Sequence, residues 1–431
     1  MNERDSEALS AVLVKKGHEL VKDEKIADVL LFNTCSVREQ AERKAVGKVG
    51  ILKKLKRVRP EIFIGILGCM AQRRGEELLK ELPHVDFVLG TDQLGMLPDV
   101  IDQQIKNREQ ISLTEANTEI STRLSEHISK NKITEFVSVM RGCNMFCSYC
   151  IVPYVRGREK SRDIADIVEE VKKLIARDIK EIMLLGQNVS AFGLDQLAKE
   201  RPLESPFADL LIELNKINEL ERIRFISPHP YFFNDKLIDT IAALPKVCNN
   251  IHLPMQSGSD RILKIMNRRY NMEIYMDVVN KLKRKIPEVT FSTDVIVGFP
   301  GETGEDFNLT RQAMNAIGVD NAYIFKYSPR EGTPAAKYGD QILQDVKDER
   351  NQILLDDLKK YTTEHNEMLN GKTVEILVEG TSKRNSETWT GRTTNNKVTI
   401  FDPQEGIKPG DIVNVKINRT TSMTLFGDIV L

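Results

Sequence analysis

The chain has 431 residues, 41% hydrophobic and 29% charged, with six cysteines and a formal net charge of −1. That length supports two or three domains with their own cores, and no run approaches the ~18 apolar residues of a membrane span. A near-neutral balance excludes binding by a global basic field, so any nucleic-acid partner must be held by local patches. The chain begins Met-Asn-Glu-Arg-Asp with no apolar signal segment, which predicts a cytoplasmic protein. Six cysteines over this length do not make a disulfide scaffold.

In chain order, residues 2–17 read as an amphipathic helix with Ala8, Leu9, Val12 and Leu13 on one face. Short apolar runs at 27–35 and 62–69, and a shorter one at 86–90, suit buried parallel strands. Helices are predicted between and after them, at about 37–57, 73–81 and 93–105. This alternation predicts a small doubly wound parallel α/β domain over 1–105. Cys35 and Cys69 each close a strand, at the sheet edge where ligands bind in such folds, so the two are predicted to converge on one site. Two buried structural thiols are the alternative. Residues 106–134, rich in Ser, Thr, Asn, Glu and Lys, read as a linker.

Strands are predicted at 135–142, 181–187, 222–228, 250–256, 289–299 and 321–328. Helices fall at about 161–177, 205–217, 235–244, 259–285 and 303–317, and a long charged helix at 345–369 closes a domain spanning 135–369. From 370 to 431 five short strands separated by turn signals predict a small antiparallel barrel.

The densest chemical signal is Arg141-Gly-Cys143-Asn-Met-Phe-Cys147-Ser-Tyr-Cys150. Structural zinc sites and ferredoxin-type clusters close with four ligands. Three thiolates spaced Cys-x3-Cys-x2-Cys would leave one iron of a [4Fe-4S] cluster open to a substrate. Cys248 has no neighbour at metal-ligand spacing and reads as a packed core thiol.

That triad, with Tyr149 before its last cysteine, resembles the signature of radical S-adenosylmethionine (SAM) enzymes. Asn33-Thr-Cys-Ser-Val-Arg38 and Leu67-Gly-Cys-Met-Ala-Gln-Arg73 resemble the methylthiotransferase domain, and the C-terminal barrel resembles a TRAM domain. Further matching stretches include Ser227-Pro-His-Pro230, His252-Leu-Pro-Met-Gln-Ser-Gly-Ser259, Met266-Asn-Arg-Arg-Tyr270 and Tyr327-Ser-Pro-Arg-Glu-Gly-Thr-Pro334. The resemblance covers essentially the whole chain and is to the radical SAM methylthiotransferases, most of all their tRNA N6-isopentenyladenosine type. It implies a partial (β/α)6 radical SAM barrel and addition of a methylthio group to C2 of that nucleoside at tRNA position 37. Methylthiolation of threonylcarbamoyladenosine in tRNA, or of a ribosomal-protein aspartate, stays open. So does a non-catalytic RNA-binding iron–sulfur protein.

The resemblance also implies two [4Fe-4S] clusters and SAM. Cys143, Cys147 and Cys150 would ligate the SAM-binding cluster, and Cys35 and Cys69 the auxiliary one. Tyr149, Gln187, Gln256, Ser257 and Asp294 are candidate contacts to SAM or substrate, or else polar caps of barrel loops. Arg392, Lys397 and Trp389 are candidate RNA contacts, although Trp389 suits a barrel core equally. The basic run Lys53, Lys54, Lys56, Arg57 and Arg59, with Arg156, Arg158, Lys160 and Arg162, is a candidate phosphate surface or a solvated face. Expected partners are tRNA, an electron-donor protein and a sulfur donor, for a monomer off the membrane. Domains of this kind have three cluster cysteines, the first closing an initial strand. Here a helix opens the chain and two are present, so an N-terminal truncation is expected.

Overall fold

The computed structural model describes residues 1–36, 39–115, 126–127, 132–197 and 204–430. Packing divides the chain into two units: residues 1–130, 141–160 and 328–336, and residues 131–140, 161–327 and 337–431. The cysteine-rich loop therefore packs with the N-terminal residues, across the boundaries read along the chain.

The first unit is built on four parallel strands, β1 (Val29–Thr34), β2 (Phe63–Gly68), β3 (Phe87–Leu89) and β4 (Ile111–Leu113), in the order β1-β2-β3-β4. Period-two alternation sends Phe63 and Leu67 to one face and Ile64 and Ile66 to the other. On the first face lie Leu9 and Leu13 of α1 (Asn2–Lys15) and, from a helix at Leu97–Asn107, Leu97, Val100 and Ile101. On the other lie Val49 and Leu52 of α2 (Glu39–Val58), with Met70 and Leu78.

Helices thus cover both faces, as the predicted class requires, but the strand order runs without reversal among the described residues. The predicted helix at 73–81 begins earlier, as α3 (Cys69–Arg74), and restarts as α4 (Glu76–Glu81). Gly75, at φ +44°, breaks it. The stretch read as a linker contributes β4, because Ile111 and Leu113 supply just enough apolar surface for a third parallel pairing. The rest of that stretch lies mostly outside the described residues.

In the second unit six parallel strands follow: β5 (Thr134–Ser138), β6 (Glu181–Leu185), β7 (Arg222–Phe225), β8 (Asn250–His252), β9 (Thr290–Val297) and β10 (Val319–Lys326). They pair as β5-β6-β7 and β8-β9-β10. Between the two sheets the backbone link is an isolated Ile223–Val247 bridge. Helices at Ile164–Ile175, Pro206–Asn215, Asp235–Ala243, Met272–Lys285 and Gly304–Ile317 bury their apolar stripes against the strands. The helix expected at 259–285 is two helices. Asn267 is left-handed at φ +57°, and the Asn271 side chain accepts the Ile274 N–H at 3.0 Å to start the second.

The C-terminal strands β11 (Thr373–Thr381), β12 (Trp389–Thr393), β13 (Val398–Phe401), β14 (Ile412–Thr420) and β15 (Thr424–Val430) close a barrel in the order β11-β12-β13-β15-β14. Four ladders are antiparallel. The β13/β15 ladder is parallel, a departure from the expected all-antiparallel barrel. The barrel core is Ile376, Val378, Phe401, Val415, Ile417 and Leu425.

Candidate functional site

Backbone register fixes the first pair of thiols. Thr34 of β1 stands opposite Gly68 of β2, so Cys35 and Cys69, the next residue on each strand, leave the sheet side by side. The Thr34 hydroxyl donates to Leu67 O at 2.6 Å and locks the two strand ends. Gly68 is left-handed at φ +91°, and a Cβ there would lie 2.4 Å from Asn33 Oδ1 and 2.6 Å from Thr34 O. Only glycine lets the chain turn this close to its neighbour.

Cys69 is buried. Burial pushes its thiol pKa up, the charge of Arg156 opposes that, and nearby Cys35 adds to the rise. Arg156 is itself buried and ion-paired to Asp5 of α1 at 2.8 Å. The Ser36 hydroxyl, next in sequence to Cys35, is buried and has no hydrogen-bond partner among the described residues.

The loop 141–160 belongs to this unit. Cys143 N–H donates to Gly157 O at 3.1 Å and Cys150 N–H to Cys147 O at 2.9 Å. Gly142, at φ +72°, has no room for a Cβ, which would meet Arg158 O at 2.0 Å. Phe146 turns the chain at φ +48° between the first two cysteines. Its ring is covered by the Arg158 guanidinium at 4.4 Å and edged by Tyr154 at 5.8 Å.

Asn144 and Glu159 clamp the two arms: Asn144 N–H donates to Glu159 Oε1 at 3.1 Å, and its amide to Oε2 at 3.2 Å. Arg141 pairs with Asp92, and Thr91 Oγ1 donates to Val155 O at 2.5 Å. None of the six cysteines is in a disulfide. Five thiols held in one unit, three on a braced loop and two on adjacent strand ends, are a soft donor set that fits iron–sulfur chemistry.

Three comparisons bear on what this arrangement belongs to. Family models match the Radical SAM superfamily at residues 137–314, Uncharacterized protein family UPF0004 at 1–90 and the TRAM domain at 367–430. A tRNA-2-methylthio-N(6)-dimethylallyladenosine synthase of Akkermansia muciniphila is 44% identical, covering 99% of this chain and 96% of the relative. One of Clostridium botulinum is 46% identical over 99% and 94%. The chain belongs to the tRNA-2-methylthio-N(6)-dimethylallyladenosine synthase family.

Among solved structures it is similar in fold to the radical SAM methyltransferase TsrM of Kitasatospora setae. Two TsrM structures each give a TM-score of 0.57 at 14% and 13% identity, covering 77% of this chain and 72% or 70% of theirs. One holds tryptophan and a SAM analogue, the other cobalamin and a [4Fe-4S] cluster.

For a member of that family, the remaining candidates fall into distinct settings. In the second unit Gln187 follows β6, and its Oε1 is buried with no hydrogen-bond partner among the described residues. Gln256 and Ser227 follow β8 and β7 in left-handed backbone, at φ +69° and +61°. Such strain in non-glycine residues concentrates at functional sites. Gln256 N–H donates to Asp294 O at 2.8 Å, which joins these two candidates. Asp294 lies within β9 rather than at its end, 3.5 Å from His252 Nε2. Ser257 is fully buried, its hydroxyl 3.4 Å from Thr310 Oγ1 and accepting Ser259 N–H at 3.2 Å, the setting of a structural cap. Tyr149 lies half-buried on the braced loop, in the first unit.

The basic candidates divide more sharply. Arg156 is internal, and Arg162 pairs with Glu170 at 2.7 Å with both side chains largely buried. Lys56 pairs with Asp86, and Arg59 with Glu61 and Asp28. Lys53, Lys54 and Arg57 remain exposed. On the C-terminal barrel Arg392 is half-exposed and pairs with Glu379 at 2.9 Å. Lys397 is only 14% exposed and spans Asp320 at 2.9 Å and Asn366 at 2.8 Å. Trp389 packs against the barrel core. Sequence reasoning missed His252, Asp5 and the internal role of Arg156. Nothing in a polar sequence position signals a partner that is distant along the chain.

Proposed function

We infer that this chain is a radical SAM tRNA methylthiotransferase that adds a methylthio group to C2 of N6-isopentenyladenosine at position 37 of tRNA. Supporting this is the joint presence of the braced three-cysteine loop and the paired Cys35 and Cys69 in a chain 43–46% identical, nearly end to end, to synthases of that name. When bound, the iron–sulfur clusters and SAM supply single-electron hydrogen abstraction and a carried sulfur, which an unactivated aromatic C–H requires.

The protein's part is to hold and orient. Cys143, Cys147 and Cys150 hold the SAM-binding cluster, and Cys35 and Cys69 contribute to the auxiliary one. Tyr149, Gln187, Gln256 and Asp294 are the contacts we propose for SAM or the nucleoside. Gln187 Oε1 offers an unused acceptor suited to an amine or an exocyclic N–H. Ser257 is retained only as a support for that loop. The tRNA is held by exposed cations of the barrel and of α2. Arg392 and Trp389 serve at its margin, and Lys397 serves indirectly by fixing the hairpin that carries them.

Among the described residues no helix is long and apolar enough to cross a membrane. A cytoplasmic monomer served by an electron-donor protein and a sulfur donor is the setting we propose. The test is an assay of the iron-reconstituted protein with SAM and reductant, offered in parallel tRNA carrying isopentenyladenosine, tRNA carrying threonylcarbamoyladenosine, and ribosomal protein. We expect a 2-methylthio nucleoside and 5′-deoxyadenosine. Modification instead of threonylcarbamoyladenosine tRNA or of a ribosomal-protein aspartate would overturn the substrate assignment, and absence of deoxyadenosine would overturn the enzyme.

A further inference from the structure

The loop that carries the three-cysteine motif also sends a buried cation to the other cysteine pair. Arg156 follows the single turn Val152–Val155, whose Ile151 and Val155 pack directly on Cys69. Val155 O is held by Thr91 Oγ1, so the turn cannot swing away from the sheet. The Arg156 side chain is 8% exposed and its Asp5 partner 11%. Beyond Asp5, its positive charge acts on the Cys69 thiol, on which its own turn packs.

A buried ion pair is an expensive way to join α1 to a loop, since apolar residues of similar volume usually hold as well. What the pair adds is a permanent positive charge at a sulfur, with its counter-ion on α1. Arginine suits this role because it stays charged when buried.

We propose that Arg156 is a positioning residue for the auxiliary iron–sulfur centre: held by Asp5, it tunes that centre at Cys69 by fixed positive charge. The inference rests on the functional reading above, because it takes Cys35 and Cys69 as ligands. Local charge is one of the levers by which a protein sets a cluster's reduction potential, and removing it should make the centre harder to reduce. Replacing Asp5 removes the compensating negative charge and should act in the opposite sense.

The experiment measures the midpoint potential of the auxiliary centre by EPR-monitored titration. It uses the full chain with Cys143, Cys147 and Cys150 replaced by Ala, so that the signal comes from the other pair. In that background we expect Arg156→Gln to shift the potential negative, Arg156→Lys to shift it less in the same direction, and Asp5→Asn to shift it positive. Opposite signs distinguish charge at the sulfur from simple loosening of the fold, which would move both variants alike. If Arg156→Gln fails to fold, the signs of Arg156→Lys and Asp5→Asn decide. Potentials insensitive to all three, or shifts of one sign, overturn the proposal. An absence of any cluster in the parent background defeats instead the reading of Cys35 and Cys69 as ligands.

Discussion

Two buried thiols in this chain differ in what faces them. Cys69 meets Arg156 and Cys35, whereas burial pushes Cys248 up to about 11 despite the opposing charge of Arg224. Cys248 is therefore a packing residue. Cys248→Ala should leave deoxyadenosine formation unchanged and cost about 1 kcal/mol of stability in denaturant melts. Its thiol in the native chain should resist iodoacetamide at pH 8, read by mass spectrometry. Cys147→Ala should behave oppositely, with iron content falling and SAM cleavage abolished, because the loop then lacks one of the three thiolates that would place the open iron toward SAM.

His229 gives a pH signature. Burial holds its pKa well below the ordinary 6.5, and the Arg268 and Arg269 charges add to the effect. Above pH 6.5 folded and unfolded chains both carry it neutral. Below that, the unfolded chain takes up a proton that the folded one refuses. Stability from this residue is then lost at up to about 1.4 kcal/mol per pH unit. Urea melts between pH 5 and 7 should show that slope, and His229→Gln should flatten it.

At the scale of elements, the connection between β12 and β13 fixes the C-terminal barrel within its unit. Arg222 reaches Arg392 O at 2.5 Å, and Arg224 reaches Thr393 O at 2.7 Å and Thr394 O at 2.9 Å. Both arginines are buried, so deleting residues 372–431 would strip Arg222 of Glu375 and leave Arg224 with Glu181 alone, and would test folding more than RNA binding. Point variants separate the two. Lys397→Met should cost about 3 kcal/mol by removing the ammonium that Asp320 and Asn366 share and leaving Asp320 only His365, at 3.4 Å, with no change in the salt dependence of tRNA binding. Lys383→Glu with Arg384→Glu alters only exposed side chains. That pair should weaken tRNA binding most at low salt and reduce the log–log salt slope by about 1 to 2.

At the scale of the whole chain, legibility followed the range of the causes. Apolar runs such as 62–69 named their strands because a buried parallel strand is written locally, and the C-terminal turns named their barrel the same way. The parallel β13/β15 ladder and the brief β4 depend on what the chain meets after folding, and no local signal announces either. The cysteine motif was legible because ligand spacing is local, whereas the link from Arg156 to Asp5 spans 151 positions and was not. Arg156 and Arg162, candidate phosphate contacts by sequence, are members of internal ion pairs. A sequence shows charge but not the carboxylate already facing it.

The central claim is that the five thiols of the first unit serve methylthiolation of isopentenyladenosine in tRNA. The most direct measurement is mass-spectrometric nucleoside analysis of tRNA from a strain lacking its own synthase and expressing this chain or its Cys147→Ala variant. The account predicts 2-methylthio-N6-isopentenyladenosine with the native chain and only N6-isopentenyladenosine with the variant. Unmodified isopentenyladenosine in both, with a methylthio group found instead on threonylcarbamoyladenosine, would contradict it.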